Sequence, residues 1–410
     1  MSATYTEPPA TTTDRGFQEI ESPMAHLSPE RLDELARELD AIHAEIFADL
    51  GERDSRYIRS TIRLHRHLVL AARALLLGSR RRPLWLAGTA ALSLAKILEN
   101  MEIGHNVMHG QWDWMNDPDI NSQSWDWDTA SPADAWRHSH NYEHHTFTNI
   151  RGLDRDLGYE IMRIDPHQPW RPVYLFQPLY NLLLMGFFEW GVALHDLNWD
   201  AIGAGEKTKA QVIAELKAVG VKARKQVIKD YIAFPTLSAA ASALSSAATG
   251  RSGSRAARRS FKATLTADFT ANIVRNIWAH SIIFCGHFPD QTYTFSKAEA
   301  AKETRGQWYV RQLTGSANID GSPLFHLLAG NLSFQVEHHL YPDMPSSRYA
   351  EIAPRVRDIC HRYGLPYNTG PLSKQLGTVH RTILRLAFPG GKPRRKPGPY
   401  RPDAGAPDED

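Results

Sequence analysis

The sequence predicts an all-α chain. Three observations carry this: several runs with apolar residues at helical spacing, four long apolar stretches, and no period-two alternation strong enough to suggest a sheet. At 410 residues the chain has room for one large domain or two to three small ones, and no internal repeat or second domain is apparent. The predicted organisation is a disordered tail over 1–27, a single domain over 28–388, and a second disordered tail over 389–410.

The elements follow in order. Residues 1–27 are rich in Thr, Pro and Glu. They lack a basic segment followed by an apolar core, so no secretory signal peptide is expected. In 28–50, Leu32, Leu35, Leu39, Ile42 and Ile46 share one helical face; Ser28 suits the N-cap, Pro29 the first turn and Gly51 the end. Tyr57 to Leu77 is a second helical run, with Arg on one side and Leu on the other.

Four apolar runs come next: 84–103, 173–197, 231–249 and 263–288. Each is long enough to cross a bilayer, which takes roughly 20 largely apolar residues. None is clean: Lys96, Glu99 and Glu102 interrupt 84–103, Asp268, Arg275 and His280 interrupt 263–288, and 231–249, though uncharged, is mostly Ala and Ser; 173–197 is the strongest. Buried helices of a soluble protein and membrane helices with inward charges both fit, and the mean hydropathy of −0.41 does not decide between them. Between these runs, 206–229 carries seven Lys or Arg and 250–262 is a short basic Gly/Ser segment.

Composition narrows the function classes. A net charge of +2 gives no basic field for nucleic acid. Two cysteines, Cys285 and Cys360, make no disulfide framework and no iron–sulfur set. No G-x-G-x-x-G follows a strand, and no haem domain is appended.

Histidine is the informative residue. Seven of the 19 fall into three compact groups beside apolar segments: His105 and His109; His140, His144 and His145; His338 and His339, with Gln335 one turn before them. His138 stands outside the tight second group. Packed imidazoles repel when protonated, so such density favours a metal that keeps them neutral. Three or four ligands serve one zinc; seven or eight nitrogens suit two metals, of the kinds imidazole favours, iron, copper or zinc. A nitrogen-rich pair beside apolar helices points to oxygen activation on an apolar substrate.

The series H-x3-H, H-x3-HH and Q-x2-HH resembles the three histidine boxes of the membrane fatty-acid desaturases. The surrounding MEIGHNVMHGQWDWMNDP, FEWGVAL, FCGHFPD, GQWYVRQLTGSAN and VEHHLYPDMPS are similar to the acyl-CoA (stearoyl-CoA Δ9) desaturases of actinobacteria, over about 45–385. The resemblance implies about four transmembrane helices in the cell (inner) membrane, with a helical cap holding a di-iron site on the cytoplasmic face. It implies O2 as cosubstrate, a long-chain acyl-CoA substrate, membrane lipid around the chain, and an external NAD(P)H reductase or ferredoxin-type electron donor. The implied ligands are His105, His109, His140, His144, His145, His338 and His339. Gln335 departs from members with His there and is a poor iron ligand; His287 in FCGHFPD is the candidate replacement. Glu143, Glu337 and Gln335 are candidates to support the ligands, while His280 and His326 read as packing residues.

The boxes must meet on one side of the membrane, so an even number of crossings separates His145 from His338. Of the three runs after 170, one must then fail to span. With 173–197 at the interface, 231–249 and 263–288 form one hairpin and the basic 206–229 stays cytosolic, the preferred choice; pairing 173–197 with 231–249 instead puts 206–229 outside. Residues 57–79 with 84–103 form the other hairpin. The Trp-rich 112–136 fits either a substrate channel or interfacial anchoring. Arg137, Arg151 and Arg155 are candidates for a CoA phosphate or ordinary surface charges. The rival functions are a fatty-acyl hydroxylase on the same scaffold, a zinc hydrolase, for which neither Glu143 nor Glu337 sits in an H-E-x-x-H motif, and a His-rich membrane metal binder.

Overall fold

The computed structural model of the chain describes residues 22–391 and Lys396. Most of both expected tails therefore lies outside the described residues. Of the first, 22–27 form a turn against the domain: Met24 packs on the core, and the His26 ring bonds the Tyr363 carbonyl at 2.8 Å.

The described residues are helical throughout, with two isolated bridges, Ile150–Phe295 and Asp320–Pro371, and no strand. α1 (Pro29–Ala48) starts where its cap residue dictates, with Ser28 Oγ accepting the Arg31 N–H. Its buried face, Leu35, Leu39 and Ile42, joins a core completed by Tyr309, Val336, Tyr349 and Val356 from the C-terminal third.

Two hairpins make a four-helix bundle. α2 (Glu52–Leu77) turns at 78–81 into α3 (Arg82–Ile97), which continues as a π-helical stretch, Leu98–His105. In the second half, α4 (Gln177–Gly186) and α5 (Phe188–His195) precede the basic α6 (Lys209–Gln226). A π-helical stretch, Val227–Ala233, then runs into α7 (Phe234–Ala247), and α8 (Gly253–His287) returns over 35 residues, about 52 Å at 1.5 Å per residue. The two turns share one end of the bundle: Ser79 Oγ lies 3.1 Å from Thr264 Oγ1, and Ser238 Oγ lies 2.8 Å from Ser260 Oγ. The opposite end carries α9 (Arg305–Gly315), α10 (Gln335–Leu340), α11 (Tyr349–Arg362) and α12 (Leu372–Leu386).

The hairpins pair the apolar runs as their spacing suggests. The run 173–197 is not one helix: it breaks at Phe187 into α4 and α5, each too short to cross a bilayer, and packs beside α8 and α12.

Among the described residues no helix is long and apolar enough to cross a membrane. The reason is visible in the bundle interior. Arg73 of α2 pairs with Asp230 at 3.1 Å and with Asp268 of α8; Lys96 of α3 pairs with Asp230 at 2.8 Å; Arg275 of α8 pairs with Glu189 of α5. These charges lower the hydropathy of α2, α3 and α8, yet face one another, while α7 is uncharged but only 14 residues long. The outer faces carry Leu70, Leu86, Leu237, Leu244 and Phe269, all exposed. Soluble bundles have the reverse arrangement.

Candidate metal centre

All eight histidines expected from the sequence as ligands meet at the end of the bundle opposite the two turns. His105 and His109 come from the π-helical end of α3 and the turn after it; His140, His144 and His145 come from a second π-helical stretch, Arg137–His144, and the turn that follows. π-Turns recur at functional sites. Here they replace the α-helical spacing expected of both segments. α10 brings His338 and His339, and His287 is the last residue of α8.

The rings form one contiguous cluster. His105, His109, His140 and His338 hold their donor atoms within 4.8 Å of one another, and so do His144, His287 and His339. His145 stands between the groups, its ring 4.7 Å from His109, 4.9 Å from His338 and stacked on His339 at 4.5 Å. The structure thus places His287 in the second group. Gln335 Nε2 lies 3.0 Å from His287 Nε2, and its Oε1 has no partner.

The donor set fits metal ions. The Nε2 atoms of His109, His140, His144, His145, His338 and His339 are buried and make no hydrogen bond, a costly state for a polar atom unless something else binds it. On the other side of five of the rings the Nδ1 atom is engaged, whereas His145 Nδ1 has no partner. His144 Nδ1 lies 3.0 Å from Asp154 Oδ1, His140 Nδ1 3.3 Å from Asp156, His105 Nδ1 3.0 Å from Asn106 Oδ1, and His339 Nδ1 3.3 Å from Gln312 Oε1. The Tyr349 hydroxyl donates to the Tyr341 carbonyl, so it accepts from His338 Nδ1 at 3.2 Å. Oxygen acceptors at Nδ1 fix the tautomer and leave the Nε2 lone pair facing inward, the usual outer arrangement of metal-binding histidines.

Electrostatics agree. Burial, reinforced by neighbouring imidazoles, holds His109, His145, His338 and His339 well below the usual imidazole pKa, so they are neutral. At His144 burial acts the same way, but the Asp154 carboxylate outweighs it and raises the pKa. Asp156 is held well below the carboxylate range: burial opposes its charge, but hydrogen bonds from His140 and His195 prevail.

The other named residues lie apart. Glu143 pairs with Arg155 at 2.9 Å and faces the exposed His138. Glu337 is buried against Asn318 and Tyr367, at 2.8 and 2.7 Å. Neither bonds a box histidine. His280 bonds Asn181 and stacks on Phe284, and His326 bonds Ser333, both as packing residues. Arg137 binds the Ser122 and Trp125 carbonyls, Arg155 binds Glu143 and Glu160, and Arg151 lies 3.7 Å from Asp165. Sequence reading missed Asp154, Asp156, His195, Gln312 and Tyr349. The signal available was D-x-D ten residues after His144.

A cavity of about 750 Å³, counting its open mouth, leads to the cluster. His105, His140, His287 and Gln335 form one wall, and Trp127, Trp136, Tyr159, Phe188 and Leu332 others. Trp136 stacks on His140 at 4.5 Å. Part of the Trp-rich stretch, Trp127 and Trp136, therefore lines this cavity.

The fatty acid desaturase family profile matches residues 83–371, a span that holds every box histidine. The chain is 47% identical to the NADPH-dependent stearoyl-CoA 9-desaturase of Mycobacterium tuberculosis over 89% of this chain and 82% of that one. It is 24% identical to the sn-1 linoleoyl-lipid 6-desaturase of Synechocystis, over 71% and 77% of the two chains. A shorter match, 34% over 21% of this chain and 20% of the other, is to human fatty acid desaturase 3. No solved structure matches. Three histidine groups converging on one buried centre, within a profile match covering most of the chain, carry the conclusion: this protein belongs to the fatty acid desaturase family.

Proposed function

We propose that the chain desaturates a long-chain acyl-CoA, stearoyl-CoA at Δ9, with two irons in the histidine cluster. The observation that carries this is the pair of adjacent all-imidazole groups opening onto an aromatic-walled cavity; the 47% identical stearoyl-CoA 9-desaturase supports the substrate. His105, His109, His140 and His338 would hold one iron; His144, His287 and His339 the other, with His145 between them.

Bound there, the irons would supply O2 activation and removal of two hydrogens from neighbouring methylenes; the balance is O2, two electrons and two protons in, a cis alkene and two waters out. The chain's own residues do the rest. Asp154, Asp156, Gln312 and Tyr349 orient the rings. Trp127, Trp136, Phe188 and Leu332 exclude water and leave apolar surface along which a methylene pair can be placed against the site. A C–H of this kind has no useful acidity, so selectivity rests on placement. Electrons come from an external NAD(P)H reductase or ferredoxin-type donor.

The bundle is read as membrane-embedded in the cell membrane. The supporting feature is its inverted polarity: inward ion pairs and an outward band of Leu70, Leu86, Leu237, Leu244 and Phe269. Buried charges of transmembrane helices take this position. The metal end is assigned to the cytoplasm, where an NADPH-linked donor would reach it.

The test is double-bond-resolved mass spectrometry of fatty acids from a host lacking its own desaturase, supplied with a matched electron donor. A new alkene with wild type and none with His109→Ala or His338→Ala supports desaturation, and its position reads the regiochemistry. A hydroxy acid instead, or purified folded protein without iron, would refute the proposal.

A further inference from the structure

The bundle end away from the metal centre has its own chemistry. The first turn presents Arg80, Arg81 and Arg82, all exposed. The second turn and the start of α8 present Arg251, Arg255, Arg258, Arg259 and Lys262, also exposed. The two segments are some 170 residues apart in sequence, a separation set by Arg82 and Arg251. The fold brings them together: Trp85 Nε1 donates to the Ala263 carbonyl at 2.9 Å, and Arg80 Nη1 to Ser246 Oγ at 3.3 Å.

Among the described residues nothing nearby offsets this charge. No Asp or Glu occurs between Asp54 and Glu99, or between Asp230 and Asp268, and Asp268 is spent on Arg73 inside the bundle. Directly behind the cations lies an exposed apolar collar, Leu77, Leu86 and Leu244, the last 72% exposed. Cations in front of hydrocarbon match the layering of a leaflet, anionic headgroup outside and acyl chains beneath. A nucleic acid or an acidic protein would match the charge but not the collar.

We propose that this end is a binding surface for anionic phospholipid headgroups, selective over zwitterionic ones. The inference rests on the membrane reading above and adds a lipid class to it. It is independent of which leaflet the end occupies.

The experiment uses the full chain in neutral detergent and in phosphatidylcholine nanodiscs. Bound lipid is counted by native mass spectrometry while phosphatidylglycerol or phosphatidylcholine is added. Wild type is expected to take up phosphatidylglycerol preferentially, and less so in high salt. Arg80, Arg81 and Arg82 are changed to Gln in one variant, Arg255, Arg258 and Arg259 in a second, and all six in a third. Each triple is expected to weaken phosphatidylglycerol binding, and the six together by at least about tenfold, given the attraction each surface cation contributes. Phosphatidylcholine binding should not change. Changing Lys209, Lys217 and Lys225 of α6 to Gln, at the metal end, should leave the preference intact.

Equal uptake of the two lipids by wild type, or equal loss from the α6 variant, overturns the proposal. So does tighter binding of a short DNA duplex than of phosphatidylglycerol. Failure to enter phosphatidylcholine nanodiscs at all refutes the membrane reading instead, which keeps the two failures apart.

Discussion

Asp154 holds His144 by its Nδ1, at 3.0 and 3.1 Å from the two carboxylate oxygens, and is itself held by the Asn149 and Asp156 backbone N–H groups. The carboxylate therefore has no freedom to turn away. It fixes the His144 tautomer and makes the inward Nε2 more basic. Asp154→Asn keeps the shape and removes the charge. The expected outcome is a loss of about 10–100-fold in metal affinity or activity, with the helical circular dichroism unchanged. Wild-type iron content and turnover in this variant would show that Asp154 does not act through His144.

The two donor groups are expected to respond separately. His109→Ala removes a donor from the four-histidine group, and His287→Ala one from the three-histidine group. Each should lower the iron bound per chain by about half or more, because a site missing one ligand loses most of its binding energy. His138→Ala, at an exposed ring, should change nothing. Iron analysis of the purified variants checks this. Full iron in His287→Ala would return the second group to Gln335 and leave His287 as a packing residue.

The bundle's ion pairs allow a stability test. Arg73→Met leaves Asp230 its Lys96 partner, but strips Asp268 of its only ion pair among the described residues. A buried charge left unpaired costs about 3–5 kcal/mol. The expected result is a marked fall in thermal stability for Arg73→Met and recovery of much of it in Arg73→Met/Asp268→Leu. If the double variant is no more stable than the single one, repulsion by the stranded carboxylate is not the cause.

Gly286 has no room for a side chain. A Cβ there would sit 2.8 Å from Gln335 Cγ and 2.9 Å from its Cδ. Gly286→Ala is therefore expected to displace Gln335 from His287 and to lower activity more than stability. An unaltered product yield would show that the Gln335–His287 contact does not matter to the site.

Much of this was legible in the sequence. The box histidines stood out because imidazoles are rare enough for three compact groups to be improbable by chance, and each group lay beside an apolar run. Parity of crossings left two hairpin pairings open, and the charge of 206–229 favoured the one in which 231–249 pairs with 263–288, as the fold has it. Apart from the D-x-D after His144, what supports the rings was not legible: Gln312 and Tyr349 are ordinary polar residues whose role exists only once 312 and 349 are folded against 339 and 338. The π-turns were hidden because His140, His144 and His145, at spacings of four and five, fit an α-turn and a π-turn alike. The break at Phe187 was hidden too, since the run 173–197 stays apolar through it and has no proline there.

Orientation is the sharpest remaining test, because two features of the chain oppose each other. Positive charge in short loops favours the cytoplasm. The two turns, with Arg80, Arg81, Arg82 and Arg251, would by that rule face inward and send the metal centre outside. At the other end 206–229 carries seven cations, and Lys222 ties it to Asp126 of the Trp-rich stretch at 2.6 Å. The proposed NADPH-linked donor would instead put the metal end inside. Cysteine labelling reads the answer directly. Cys285 and Cys360 are buried, so the background is low. With Ser254→Cys at the turn and Lys217→Cys and Lys302→Cys at the metal end, all exposed positions, a membrane-impermeant maleimide on intact cells should modify only Ser254→Cys. The other two should react only after lysis. The opposite pattern would place the centre outside and defeat the cytoplasmic assignment, and labelling of all three only after lysis would mean that the hairpins do not cross.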